Sequence, residues 1–531
     1  MSDVEADVVI IGSGPTGGAA AWRLASAGLD VVCLERGGWF PYEKIDREGP
    51  DWERRREQEF NSNPNIRRGA ADYPIDDNET PIKPMIGNNV GGGSIYWSAH
   101  VPRFKPEDFR VQTLDGVGDD WPINYEDLVP HYTLAEARWG VAAMNGDPSA
   151  APLADGCMTL PTIAAHGRRL AEALDRRGWH WWPVNLVVGK DGDDHGTQHC
   201  THVGPCDVGC PSRIRSGADR AFVGEAIAAG ARLMANTAVL RLEHDSSGQV
   251  VAAVCSGECG VFRVRGSRFI LAANGIGTPR LLLLSASAMF PNGLANSSGM
   301  VGRNLMLHPY ARVDGLFADC LGAWVSGEKA GIVSFEFYAT RAGHDFIRGF
   351  KLQLTGGPGP LGTALGTATG QRIGWGERHH AEFEAHFDHI CGFTVCAEDL
   401  AHPDNRIVLS QMEIDADGLP IARMIYRLSD NSRRILDFGM DRADELLRDA
   451  GAIATYRTPL TTQAGFHLMG TARMGNDPET SVVDAFGRCH DVPNLFVADA
   501  SAFVTSAAVN PTLTAQALAL RSAEHIISTL A

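Results

Sequence analysis

Three cysteines, Cys200, Cys206 and Cys210, stand in the loop "HCTHVGPCDVGCP" with the spacing C-x5-C-x3-C-P. Thiolates ligate metals, and the C-x3-C-P ending echoes the close of iron–sulfur runs in bacterial ferredoxins. His199 or His202 would instead complete a Cys3His zinc set. With no metal at all, the same thiols would pack as small hydrophobes. All three readings stay open on the loop alone. A second chemistry lies at the N-terminus. Gly12, Gly14 and Gly17 give G-x-G-x-x-G, and Glu35 follows at a spacing suited to ribose hydroxyls.

These groups need elements to hold them. "DVVIIGSGPTGGAAAWRLASAGLDVVCLERG" reads as strand, glycine turn, helix and strand. Val8 to Ile11 form the apolar run of a buried parallel strand, and Ala19 to Ala27 form a small-residue helix whose N-terminal amides face a phosphate. The first glycine permits the tight turn, the second admits a pyrophosphate, and the third lets helix and strand pack closely. Residues 40–100 are polar and irregular, where an NAD dehydrogenase would repeat strand and helix. The cluster Gly91, Gly92 and Gly93 then gives a backbone free to lie against a flat ligand.

The 531 residues suffice for two intimate domains, and the 44% hydrophobic and 21% charged fractions are those of a globular protein. A net charge of −17 with no basic run argues against nucleic acid or an anionic membrane as partner. No segment approaches the roughly 20 apolar residues of a membrane span. The acidic N-terminus enters a strand directly, leaving no room for a signal peptide, and eleven scattered cysteines suggest reduced thiols. A cytoplasmic protein is expected, or a periplasmic one if exported with a signal-bearing partner.

At this point the chain resembles a glucose–methanol–choline (GMC) oxidoreductase, an FAD-dependent alcohol-oxidising family. The likeness runs through "VGGGS", "DDWPINYEDLVPHYTLAE" (119–136), "FILAANGIGTPRLLLLSAS" (269–287), "VGRNLMLHP" (301–309), "GFHLMGTARMG" and "PNLFVADASAFVTSAAVNPTLTAQALALRSAEHI". Within the family it tends to the flavoprotein subunits of bacterial sugar and polyol dehydrogenases. The resemblance implies an α/β fold: a Rossmann-like FAD-binding domain with an α+β substrate domain built on an antiparallel sheet. The expected FAD domain is discontinuous, 1–40, 85–110, 200–310 and 465–531. The substrate domain takes 111–199 and 311–464, with 41–84 an irregular lid or connection. Strands "FILAANG" and "NLFVADAS" would join the N-terminal unit with their carboxyl ends converging on the cofactor. Thr278 and Pro279 would begin a helix at the cap and first-turn positions.

The resemblance also assigns roles. Gly12, Gly14, Gly17, Glu35, Gly92, Gly93, Ser94, Asn274, Asp499, Ala500, Pro511 and Thr512 are expected against FAD. His467 in "GFHLMGTARMG" is the expected base for the substrate hydroxyl, with Asn510 in "AAVNPTLT" orienting the carbinol; Asn510 before Pro511 is equally a helix N-cap. Tyr96 occupies the place of the histidine that tethers FAD in some relatives, so FAD is expected to be non-covalent. Relatives of the multi-subunit type hold a [3Fe–4S] cluster on three such cysteines, which would hand electrons to a small subunit or cytochrome; a zinc or metal-free loop remains the alternative. An oxidase reducing O2 without a cluster is the rival reading. The substrate is a small alcohol whose identity is not legible. "WHWWPVN" (179–185) offers aromatic faces for a sugar but reads rather as core.

Overall fold

The computed structural model describes residues 4–44, 52–153, 163–187, 210, 216–326 and 331–530. Among them a seven-stranded sheet is centred on Val4–Ile11, which pairs in parallel with Val31–Leu34 and Gly260–Leu271. Arg232–Met234 and Leu495–Val497 extend the parallel array on either side. Register aligns Ile11 with Leu34 and Leu271, and Leu271 with Val497, so four strand ends finish in one row. The inner strands are apolar and buried on both faces, as a covered parallel sheet requires. The first half of Gly260–Leu271 turns outward and pairs antiparallel with Val250–Gly257.

Helices Pro15–Ser26 and Thr512–Leu530 cover one face. Ala20, Ala21 and Leu24 pack with Ala519, Ala523 and Ile526 over Val8, Ile10 and Phe496. Gln516 Nε2 donates to the Pro15 carbonyl at 2.9 Å, fixing the two helix N-termini side by side.

A second, six-stranded sheet runs Ala454–Thr458, Tyr310–Leu316, Ile390–Ala397, Phe350–Thr355, Ile332–Ser334 and Trp182–Pro183, antiparallel throughout. This is the antiparallel sheet expected of the second domain. Its period of two sorts the side chains. Val313, Phe350, Leu352, Leu354, Phe393 and Val395 pack on Ile435, Leu436, Met440 and Leu447 of the helix Asp430–Asp449. The opposite face carries polar residues toward the first sheet. The stretch 41–84, expected to be irregular, contributes the strand Ile75–Glu79, parallel to Pro420–Ile425 in a small third sheet.

One helix start differs from expectation. The helix after "FILAA" spans Asn274–Leu284, a turn earlier than Thr278, and Pro279 lies inside it. Asn274 sits at φ 68°, and its Oδ1 accepts the Ile276 and Gly277 amides, doing the capping itself. Pro279 has no N–H to give the Gly275 carbonyl, and the Thr471 hydroxyl donates there instead at 2.9 Å. The C-terminal helix begins at Thr512. The Pro511 carbonyl accepts the Ala515 amide, so the cap position falls on Pro511 rather than Asn510.

Candidate active site

A cavity of about 550 Å³ opens where the four strand ends meet the polar face of the second sheet. Its nucleotide end is mostly backbone. Gly12, at φ 103°, turns the chain against Ala272: an added Cβ would stand 2.3 Å from the Ala272 carbonyl oxygen. Gly17 lies behind the lining, where a Cβ would reach within 1.9 Å of the Gly12 oxygen. That is the close packing of helix on strand expected of the third glycine. Gly14 and Gly92 press the two glycine loops together, a Cβ on Gly92 falling 2.9 Å from Gly14 Cα. A Cβ on Gly93 would meet nothing within 4 Å.

Glu35 closes this end. Its carboxylate accepts from Ser13 N at 3.0 Å, Ser13 Oγ at 2.8 Å and Gly37 N at 2.9 Å. Burial raises its pKa while these donors oppose the rise. Asp499 ties the far strand ends together, accepting from Asn274 N at 3.0 Å, Thr278 Oγ1 at 2.6 Å and Ser501 N at 2.9 Å. Ser94 lines the cavity, but its hydroxyl is engaged by Gly91 O and Ala218 N. Ala500, Pro511 and Thr512 complete the lining beside the C-terminal helix.

The other end is built from side chains. Met306 and Met469 exchange both backbone hydrogen bonds as an antiparallel bridge. Two residues along, in opposite directions, stand His308 and His467, which the same register makes cross-strand partners. Their Nδ1 atoms are 2.7 Å apart. Further bonds from Gly470, Ala472 and Met474 N to Ala500, Ser501 and Ala502 O clamp the His467 loop onto the strand end after Val497. His308 Nε2 lies 2.8 Å from Ala507 O and 3.1 Å from Ser506 O, and Tyr310 OH is 3.3 Å from His467 Nδ1.

The carbonyls fix the tautomers. Oxygen acceptors at Nε2 require His308 to carry its proton there, so Nδ1 of a neutral His308 is a lone pair. His467 must then donate from Nδ1, which leaves its Nε2 lone pair unprotonated. Burial, His308 and Lys351, in that order, hold the pKa of His467 well below the ordinary imidazole value. His308 moves the other way: burial disfavours its charge, yet Cys396 and the Ala507 and Ser506 carbonyls raise its pKa overall.

Asn510 faces the same space. Buried Lys351 donates from Nζ to Asn510 Oδ1 at 2.5 Å. An ammonium has only donors, so the amide oxygen must face Lys351 and the Nδ2 group is left to donate elsewhere. The expected pair is therefore brought together with three residues that motif reading did not single out, His308, Tyr310 and Lys351. His308 had a signal, standing in the quoted "VGRNLMLHP". Lys351 had only its place in the alternation "FKLQLT".

Two expectations fall elsewhere. Cys200 and Cys206, with His199 and His202, lie outside the described residues. Cys210 is buried with Ala142, Val184, Leu186 and Val333. The "WHWWPVN" stretch stays off the cavity lining, its Trp179 packing on Phe337 at 5.0 Å.

FAD fits what is present. A helix N-terminus and glycine backbone suit a pyrophosphate, Glu35 suits a ribose, and the Gly93 surface is open to a flat ring. Fold and site thus define a dinucleotide-binding oxidoreductase with a buried histidine pair at the far end of the cavity. The FAD binding domain family matches residues 5–44, and the GMC oxidoreductase family matches 167–310 and 401–519. Relatives extend over the whole chain. The 2-methyl-1,2-propanediol dehydrogenase of Mycolicibacterium austroafricanum is 37% identical over 98% of this chain and 95% of its own. The fructose dehydrogenase large subunit of Gluconobacter japonicus is 30% identical, covering 99% and 98%. The paromamine 6'-oxidase of Streptomyces fradiae is 30% identical, covering 99% and 92%. In fold the chain is similar to pyridoxine 4-oxidase from Mesorbium loti, with a TM-score of 0.64 at 17% identity over 98% and 99% of the two chains. The chain belongs to the GMC oxidoreductase family and is an FAD enzyme acting on alcohol groups. Among the described residues no helix is long and apolar enough to cross a membrane.

Proposed function

We propose that the enzyme oxidises a CH–OH group of a sugar, glycoside or polyol to a carbonyl, with His467 as base. FAD, bound non-covalently, supplies the acceptor for the carbinol hydrogen and its electron pair. The observation carrying this reading is the His308–His467 pair, whose tautomers leave the Nε2 lone pair of His467 free. The substrate hydroxyl proton passes to that Nε2. The Nδ1 proton of His467 then moves to Nδ1 of His308, so the charge comes to rest on the ring that Ser506 and Ala507 oxygens stabilise. Asn510 Nδ2, held by Lys351, donates to the substrate oxygen and orients the C–H bond. Anaerobic mixing with a panel of alcohols tests the reading: at least one should bleach the flavin absorbance at a saturable rate.

The acceptor we infer is neither NAD nor O2 but a small subunit or cytochrome, in a cytoplasmic setting, and the relatives named dehydrogenases support it. The relatives named oxidases favour the second reading, direct reduction of O2. Steady-state turnover with an artificial dye against turnover in air separates the two. Iron and zinc content after anaerobic purification, with Cys206→Ser alongside, assigns the cysteine loop: three irons lost in the variant support a [3Fe–4S] cluster, and a metal-free wild type moves the oxidase reading ahead.

A further inference from the structure

The second sheet turns an ordered polar surface toward the cavity. Residues two apart on a strand share a face, so Tyr310 with Arg312, Lys351 with Gln353 and Thr355, and Thr394 with Cys396 all point to one side. Register aligns them in rows across the strands. Tyr310 and Lys351 flank Cys396; Arg312 and Gln353 flank Thr394; Asp314 and Thr355 flank Gly392. The first row serves the catalytic end, where Tyr310 reaches His467 and Lys351 reaches Asn510. In the next rows, Arg312 is committed to Asp314 and the Gly356 oxygen.

Gln353 and Thr355 are different. Both line the cavity and are buried to 7% and 6% exposure, yet Gln353 Oε1 and Thr355 Oγ1 have no hydrogen-bond partner. Buried polar atoms without partners are costly and rare. Two of them, adjacent on one strand and facing a ligand cavity, mark a place where the ligand brings the partners.

We propose that Gln353 and Thr355 form a subsite for a second hydroxyl group of the substrate, away from the carbon being oxidised, so that the enzyme selects polyhydroxylated molecules over monohydric alcohols. This deepens the alcohol-oxidising reading and rests on it. The spacing sets which hydroxyl is meant. Gln353 stands about 6.5 Å along the strand from Lys351, and Thr355 as far again. A hydroxyl adjacent to the reacting carbinol would fall short of that distance, whereas one across a sugar ring or at the far end of a short polyol reaches it. Gln353 Oε1 accepts from such a hydroxyl. Thr355 Oγ1 accepts or donates, which tolerates either hydroxyl orientation.

Discrimination follows from the same chemistry. A substrate lacking the second hydroxyl leaves the buried acceptors unpaired in the complex, and sites of this kind reject the poorer analogue far more strongly than an apolar pocket rejects a methylene. Two matched pairs probe this: erythritol against 1-butanol, and methyl glucoside against cyclohexanemethanol. FAD-loaded wild type, Gln353→Met and Thr355→Val are mixed anaerobically with each, giving a limiting bleaching rate and a dissociation constant. The wild type should favour the polyhydroxylated member of a pair by 100-fold or more in kcat/KM, and each variant should lower that ratio 10- to 100-fold. A structural role would lower both members alike and leave the ratio unchanged. An unchanged ratio in both variants, or a wild type that takes both members equally, overturns the subsite while the alcohol reading stands. If no member bleaches the wild-type flavin, the sugar-or-polyol reading falls, and calorimetry with erythritol and methyl glucoside still decides: heat lost in Gln353→Met supports the subsite, and equal heat overturns it.

Discussion

The two ends of the cavity are made of different material. At the nucleotide end the lining is largely backbone: Gly12, Gly14, Gly92 and Gly93 bring main chain to the ligand, and the Glu35 carboxylate is locked by Ser13 and Gly37. At the substrate end the backbone only sets register, and the chemistry belongs to side chains from segments far apart in the chain. His308, Lys351, His467 and Asn510 lie on four such segments and meet through two contacts, at 2.7 Å and 2.5 Å. A site of backbone fails by not forming. A site of side chains fails by forming and not working.

Substitutions at the two ends should separate these outcomes. Gly12→Ala has the largest expected effect. Its Cβ would need to displace the Ala272 carbonyl from a residue at φ 103°, a combination of clash and strain costing about 3 kcal/mol or more. Folded yield and bound flavin should fall together, read from the ratio of flavin to protein absorbance and from thermal melting. His467→Ala should leave both intact and slow anaerobic flavin reduction by about 10²–10⁴. Flavin lost from His467→Ala, or retained at full occupancy in Gly12→Ala, would erase the distinction.

The same difference explains what was legible in the sequence. The glycine fingerprint and Glu35 are legible because they fall within one strand–helix–strand unit, and the converging strands because each carries its own apolar run. Asn274 and Asp499 stand at strand ends and line the cavity. The helix starts a turn before Thr278 because Asn274, in a left-handed conformation, caps with its own side chain, and Thr471 repairs the gap left by Pro279. His308 and Lys351 were not singled out, since their roles arise from a bridge between Met306 and Met469 and from pairing of the strand Phe350–Thr355. Neither pairing is written in local sequence. The polar alternation Lys351, Gln353, Thr355 was present, but without the sheet it has no direction.

His308→Gln sharpens the account of the side-chain end. A glutamine can accept from His467 Nδ1 and donate to the Ser506 and Ala507 carbonyls, but it cannot take up the relayed proton. We expect kcat/KM to fall by about 10- to 100-fold, at or below the lower end of the general-base contribution of about 10²–10⁴ because the base itself remains. Its pH profile should move as well. The base is active when neutral, so kcat/KM rises with pH through the apparent pKa of the histidine pair. In the wild type the first proton resides on His308, whose pKa is raised; in His308→Gln it must reside on His467, which burial and Lys351 hold low. The rising limb should therefore shift to lower pH. A limb that stays in place refutes the relay. Lys351→Met is a milder change. The first proton still resides on His308, so the limb should stay near its wild-type position, while the freed Asn510 amide should reduce the rate about tenfold, the equivalent of about 1.4 kcal/mol. A limb that moves in His308→Gln and holds in Lys351→Met is a signature that general destabilisation would not reproduce.

The smallest expected effect returns to the backbone end. Tyr96 stands where some relatives carry a tethering histidine, and its ring lies 5.6 Å from Phe40 with the Arg67 guanidinium 5.4 Å above it. Burial pushes its phenol up to about 12, so the group is neutral at working pH and offers no imidazole for a bond to the flavin. FAD should accordingly leave with acid or heat, and the denatured polypeptide should have the mass of its sequence alone. Tyr96→Phe keeps the ring packing and removes only the hydroxyl, so stability should change by about 1 kcal/mol or less and flavin content not at all. Flavin that stays with the denatured wild-type chain would show a side chain holding the cofactor at the end assigned here to backbone. That one result would break the division between the two ends without touching the catalytic pair.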